Sequence, residues 1–126
     1  MPFESSHKPK ALLKILDQTD STNNYAMQMV HDGMAKHGFA FAALHQTAGK
    51  GQRGRAWQAQ PGKNIALSVV IKTEALKAEQ QFLLSMSVAM AVYEFIKKYV
   101  PEEISIKWPN DIYWRNQKTG GILIEN

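Results

Sequence analysis

The 126-residue chain contains no cysteine, which excludes disulfide stapling, thiolate catalysis and cysteine metal ligation. Long apolar runs are missing too: no stretch approaches the roughly 20 apolar residues that span a bilayer. The opening MPFESSHKPKALLKIL has no long apolar run followed by a small-residue cleavage site, so it does not read as a signal peptide and a soluble, cytoplasmic protein is expected. Acidic residues are absent from the interval between Gly33 and Thr73, whereas Lys36, Lys50, Arg53, Arg55, Lys63 and Lys72 fall inside it. Much of the formal net charge of +4 is therefore local, which favours anionic partners. Histidines are few, His7, His31, His37 and His45, without the spacing of a metal pair, and HExxH does not occur. Internal repeats and low-complexity tracts are lacking as well.

A 44% hydrophobic content at this length supports one ordinary globular domain and is too little for two. Residues 1–10, polar with two prolines, read as a flexible lead-in. ALLKIL (11–16) fits a first strand, with helix as the alternative. Ser21 or Thr22 is suited to cap a helix running from Asn23 to about Met34, with Tyr25, Met29 and Met34 toward the core. FAFAALHQ (39–46) and KNIALSVVIK (63–72) read as buried strands. From about Leu76 to Tyr99, Phe82, Leu83, Met86, Met90, Tyr93 and Ile96 recur at spacings of three and four, predicting a helix with one broad apolar face. EISIKW (103–108) predicts a strand, and segments 112–115 and 121–125 predict a hairpin across NQKTG. The fold class expected is α+β, a mixed, largely antiparallel sheet flanked by helices.

The loop TAGKGQRGRAW (47–57) is the first unusual stretch. Gly49, Gly51 and Gly54 remove side chains so that backbone amides can approach an anion. Arg53 and Arg55 add forked donors suited to carboxylate or phosphate, and Trp57 offers a flat apolar wall. The plain alternative is a mobile surface loop with incidental charge. A Walker A loop does not fit, because Gly62-Lys63 is followed by Asn64. A Rossmann reading of Gly49, Gly51 and Gly54 fails because a strand pattern follows, not a helix. Nucleic-acid binding is disfavoured by a short basic run with one aromatic.

The second unusual stretch is IKWPNDIYW (106–114). Pro109 fixes the backbone, and Asn110 with Asp111 can turn oxygens outward to hold a hydrated magnesium ion against phosphates; an ordinary turn is the alternative. Lys118, in NQKTGG, supplies an ammonium that can neutralise a carboxylate or developing phosphoryl charge. No serine elbow is present around Ser21. The chemistry favoured is electrostatic and positional.

The combination of DSTN (20–23), QTAGKGQRGRAW (46–57) and KWPNDIYW continuing into KTGGILIE (107–125) resembles the biotin protein ligases, or biotin–[acetyl-CoA-carboxylase] ligases. The resemblance implies ATP-dependent activation of biotin to biotinyl-5′-adenylate and transfer to one lysine of a biotin carboxyl carrier protein or domain, with Mg2+ as cofactor. It implies a scaffold like that of class II aminoacyl-tRNA synthetases. Carried over, Ser21, Thr22 and Gln46 would meet the biotin ureido ring, within the DSTN segment that includes Asn23. Gly49 and Lys50 would line the ligand through their backbone, and segment 49–57, including Gly51 and Gln52, would order over the adenylate. Trp57 would wall it off while Arg53 and Arg55 hold or pre-order it. Asn110 and Asp111 fall where the family handles ATP phosphates and magnesium. Lys118 matches the principal catalytic lysine, reaching the biotin carboxylate and α-phosphate, and Gly121 matches a glycine against the vitamin.

Two departures stand out. Relatives often write the loop GRGRRGR, so Gln52 replaces a common arginine and bears on adenylate contacts; Thr119 replaces a residue commonly apolar. The resemblance also makes residues 11–126 the N-terminal portion of the catalytic domain, with the rest and an SH3-like domain absent, and leaves no expectation of DNA binding. A truncated chain of this kind is expected to lack full activity. A homodimer is one option, as relatives often dimerise. The rival readings are a lipoate or octanoate ligase or transferase-like enzyme and an inactive carrier-binding module.

Overall fold

The computed structural model describes residues 12–126; the expected lead-in over 1–10 lies outside the described residues. The order is β1 (Leu13–Thr19), α1 (Thr22–His31), β2 (Ala40–Gln46), a short 3-10 turn (Gln52–Gly54), β3 (Ala66–Val69), α2 (Ala78–Lys97), β4 (Ile104–Lys107), β5 (Asp111–Trp114) and β6 (Gln117–Gly121). The strands form two three-stranded sheets, β1-β2-β3 and β4-β5-β6. Among the described residues only β1 and β2 pair in parallel; the other three pairings are antiparallel. The α+β class with mixed, largely antiparallel pairing is thus as expected. The chain divides into two compact units, one holding the described residues up to Gly49 with Ala56–Lys72, the other Lys50–Arg55 with Thr73–Asn126.

In the first unit, Ser21 takes extended backbone and its side chain accepts from Asn24 N at 3.0 Å, capping α1. The helix stops earlier than its apolar pattern suggests. Gly33 adopts φ 70, its amide donates to Val30 O at 3.1 Å, and Met34 N donates to Met29 O at 2.8 Å. That reciprocal pair closes the last turn in a left-handed cap. Met34 consequently points away from the core and is 63% exposed, against expectation. Tyr25 and Met29 do pack on the cluster of Ala26, Ala35 and Phe41, and the Tyr25 and Phe41 rings meet edge-on at 5.2 Å. α1 packs against β2 and β3 of the β1-β2-β3 sheet. On the strands of this sheet Leu13, Ile15, Leu44, Leu67 and Val69 are each more than half exposed.

In the second unit, α2 packs on β4 and β5. Its most enclosed residue is Ala89, and the expected apolar face is only partly used: Met86, Tyr93 and Ile96 are half-buried while Phe82, Leu83 and Met90 are exposed. The one buried position of α2 thus carries a small side chain, which lets the backbone there come close to its surroundings. The closing hairpin also differs from the expected 112–115 and 121–125. Trp114 pairs with Gln117, so the turn is Arg115-Asn116, with Arg115 at φ 55, and Lys118 lies within β6 and not in a loop. Among the described residues no helix is long and apolar enough to cross a membrane.

Candidate functional site

Parallel pairing of β1 with β2 places Thr19 opposite Gln46 at the carboxyl ends of both strands, where ligands of open α/β arrangements gather. The chain then turns directly into α1, so Ser21 and Thr22, only 2% and 4% exposed, sit beside Gln46. Thr22 N donates to Gln46 Oε1 at 2.7 Å, and Thr22 Oγ1 donates to the same oxygen at 3.2 Å. A backbone N–H cannot reverse its role, so the Gln46 amide is fixed with its Nε2 donors directed the other way. Ser21 is held by its own N–H donating to Asp20 Oδ1 at 2.6 Å, and Asp20 Oδ2 accepts from Asn24 Nδ2 at 2.9 Å. The result is a group of hydroxyl and amide functions beside the Asp20 carboxylate, with Ser21 and Thr22 buried. Asn23 joins it through contact with Ser68.

Ser68 was not legible as a site residue. Its Oγ lies 2.7 Å from Thr22 Oγ1 and it is buried on β3. The only signal in the sequence is one hydroxyl inside the apolar run ALSVV, at a position that alternation turns toward α1.

Gly49 adjoins this group. A Cβ there would stand 2.5 Å from the Trp57 carbonyl oxygen and 3.0 Å from Gln46 Nε2, and Trp57 N donates to Gly49 O at 2.8 Å. The two ends of the basic loop are therefore clamped backbone to backbone, as only glycine permits. Ser21, Thr22, Asn23, Gln46, Gly49 and Trp57 all belong to the first unit, and the structure brings them together.

The other expected residues belong to the second unit. Gly51 N donates to Arg55 O at 2.6 Å, and Arg53 at φ 55 with Gly54 at φ 73 makes the left-handed bend between them. Gln52, Arg53 and Arg55 are exposed, and neither arginine makes an ion pair among the described residues. Lys50, expected to act through its backbone, sends its ammonium to Glu125, 3.0 Å from Oε1.

On β5, Asp111 and Tyr113 share one face. Their ladder partners Lys107 and Lys118 join it, Lys107 opposite Asp111 and Lys118 opposite Tyr113. Lys118 Nζ lies 2.9 Å from Asp111 Oδ1, and Lys107 Nζ lies 5.6 Å from the Tyr113 ring centre. Thr119 is the extra residue of a β-bulge between the Ile112–Gly120 and Tyr113–Lys118 pairs, and its hydroxyl donates to Ile112 O at 3.2 Å. A threonine here thus serves a carbonyl beside the irregular ladder, a physical reason for a polar residue after Lys118. Gly121 pairs with Asp111. Asn110 is tied to Ile122 in both directions, its Nδ2 donating to Ile122 O at 3.4 Å and its carbonyl accepting from Ile122 N at 3.0 Å.

Among the described residues no three His, Asp or Glu side chains cluster as a metal cage. Asp111 with Asn110 offers one carboxylate and one amide oxygen, a donor set that fits a magnesium ion held largely by phosphates and water.

The chain is similar to known proteins over most of its length. The bifunctional ligase/repressor BirA of Escherichia coli is 36% identical over 111 residues, covering 88% of this chain and 34% of that protein. The biotin–[acetyl-CoA-carboxylase] ligase of Mycobacterium tuberculosis is 34% identical over 116 residues, covering 90% of this chain and 44% of that one. The chain thus spans under half the length of these relatives. The crystal structure of the Aquifex aeolicus biotin protein ligase in complex with biotin and ATP superposes with a TM-score of 0.74 at 29% identity, over 91% of this chain and 47% of that one. Residues 15–126 match the biotin/lipoate A/B protein ligase family, and the chain belongs to that family.

Proposed function

We propose that this chain serves a biotin protein ligase, activating biotin with ATP and passing it to a lysine of a biotin carboxyl carrier protein. The observation that carries the reading is the hydrogen-bonding group of Ser21, Thr22 and Gln46, the first two of them buried. A ureido ring presents one carbonyl acceptor and two N–H donors, which hydroxyls and a fixed amide can satisfy together. The dithiolane of lipoate presents none of these and would leave the enclosed polar atoms without partners, a substantial cost.

Activation brings the biotin carboxylate to the α-phosphorus of ATP. A carboxylate oxygen forms the new P–O bond as the bond to pyrophosphate breaks, giving biotinyl-5′-adenylate. Two anions approach each other in that step, and Lys118 offsets the repulsion as the principal catalytic side chain, steered by Asp111. Arg53 and Arg55 hold the adenylate, Gly49, Lys50, Gly51 and Gln52 present loop backbone to it, Trp57 shields it, and Gly121 leaves room beside the vitamin. Asn110 and Asp111 would hold Mg2+, which neutralises charge on the departing pyrophosphate. Ordering of residues 49–57 over the mixed anhydride would keep water from it. In the second step the neutral amine of the carrier lysine attacks the acyl carbon; the amide forms, AMP departs and the amine loses a proton to solvent. A cytoplasmic location, where ATP is supplied, is in keeping with this reading.

Isothermal titration of the chain with biotin and with lipoate tests the reading. Biotin is expected to bind and lipoate to produce no heat beyond dilution. Binding of lipoate alone would remove it.

A further inference from the structure

Ser68 stands directly behind the residues assigned to the ureido ring. It lies on β3 opposite Phe41, is 6% exposed, and touches both Thr22 Oγ1 at 2.7 Å and Asn23 Oδ1. A serine hydroxyl has one proton, so only one of these contacts can use it. If Ser68 donates to Thr22, the Thr22 hydroxyl passes its own proton on to Gln46 Oε1, 3.2 Å away. If Ser68 donates to Asn23 Oδ1, the Thr22 hydroxyl donates back to Ser68. Both arrangements keep the Thr22 proton inside the protein, and both leave Thr22 only a lone pair for anything outside.

We infer that Ser68 is a positioning residue that commits the Thr22 hydroxyl to accepting a hydrogen bond from the ligand, and so gives the pocket its preference for a ring N–H. The inference rests on the biotin reading for the ligand, while the arrangement of hydroxyls stands without it. Gln46 presents the complementary polarity: its oxygen is held by Thr22 N–H at 2.7 Å, so its Nε2 is the donor available to a ring carbonyl. Acceptor and donor are therefore set separately, one by Ser68 and one by a backbone amide. Removing Ser68 leaves Thr22 Oγ1 with only the longer contact to an oxygen that already accepts a shorter bond. Its hydroxyl can then rotate outward as a donor, which suits a ring N–H badly.

The test combines Ser68→Ala, Thr22→Val and the double variant in the full chain, titrated with biotin and with biotin methylated at its ureido nitrogens. Ser68→Ala is expected to weaken biotin about tenfold, the worth of one hydrogen bond, and to weaken the methylated analogue less, so that discrimination between the two shrinks. On the Thr22→Val background, Ser68→Ala should add nothing, because its route of action is gone. Equal losses for both ligands, or additive losses in the double variant, would overturn the inference and leave Ser68 a packing residue. A ligand-free readout keeps the two claims apart: the three-bond coupling between the Thr22 Hβ and hydroxyl protons, which reports the hydroxyl torsion, should show one rotamer in the wild type and averaging in Ser68→Ala. An unchanged single rotamer refutes the positioning role. Absence of biotin binding by the wild type refutes the proposed function, and the coupling still decides the role of Ser68.

Discussion

Three glycines in the basic loop look interchangeable in sequence but meet different demands, and alanine at each separates them. A methyl at Gly49 would be placed 2.5 Å from the Trp57 carbonyl oxygen. Relieving that overlap means moving residue 57 back by about half an ångström, to the roughly 3.0 Å below which carbon–oxygen contacts hardly occur, and stretching the 2.8 Å bond from Trp57 N to Gly49 O. Insertions of one methyl into a closed site cost about 1–3 kcal/mol, or about 5- to 150-fold in biotin affinity if the cost falls on the binding-ready loop. At Gly51 the nearest atom is 3.5 Å away, an ordinary contact, so alanine should change affinity by less than about 0.5 kcal/mol. Gly54 has open space around it but φ of +73, so alanine there meets backbone strain alone, about 1–2 kcal/mol. Titration calorimetry with biotin gives the three affinities, and hydrogen exchange at the Trp57 amide reports the clamp without ligand. Gly49→Ala that binds biotin like the wild type, with Trp57 exchange unchanged, would refute the steric account.

Other outcomes follow from the same geometry. Lys118→Ala is expected to slow single-turnover adenylate formation about 100- to 1,000-fold while weakening biotin much less; an unchanged rate denies it the catalytic role. Gln46→Glu keeps an acceptor for Thr22 N–H but replaces the Nε2 donor with an oxygen. Biotin affinity should then fall at least about tenfold with little change in the thermal midpoint, and an equal fall in both would assign Gln46 to packing. Phe41→Ala removes a ring that is 2% exposed and should cost about 3–5 kcal/mol in urea unfolding; a loss below about 1 kcal/mol would show that the Ala26 and Tyr25 surroundings collapse to fill the space.

The polar group of the first unit was readable because its residues are near one another in sequence or at strand ends. Ser21 announces itself as a cap, and Gln46 closes an apolar run that can only be a strand. Side chains that act across the fold were harder to read. Ser68 is one hydroxyl in ALSVV, and nothing in that run says that α1 delivers Thr22 and Asn23 to it. On α2, the large apolar residues dominated the pattern, yet the one buried position is Ala89, which is fully enclosed; small residues carry little weight in a periodicity although they let a backbone come close to its surroundings. The end of α1 departs from its apolar pattern for a related reason: Gly33 and its cap outweigh the apolar character of Met34. Likewise the ion pair Lys118–Asp111 joins residues whose proximity depends on pairing register, and Lys50–Glu125 joins residues 75 apart in the chain.

The bulge at Thr119 decides the side of the hairpin from which Lys118 emerges. With Asp111 opposite Gly121 and a regular ladder, Lys118 would pair with Trp114 and emerge on the reverse side from Asp111. Removing residue 119 outright would leave an even ladder with Lys118 still opposite Tyr113 and on the side of Asp111, a milder lesion than a change that keeps the residue and irons out the bulge. Homologues one residue shorter here should therefore still carry the lysine, and redesigns of this hairpin should preserve the Tyr113–Lys118 pairing before its residue count.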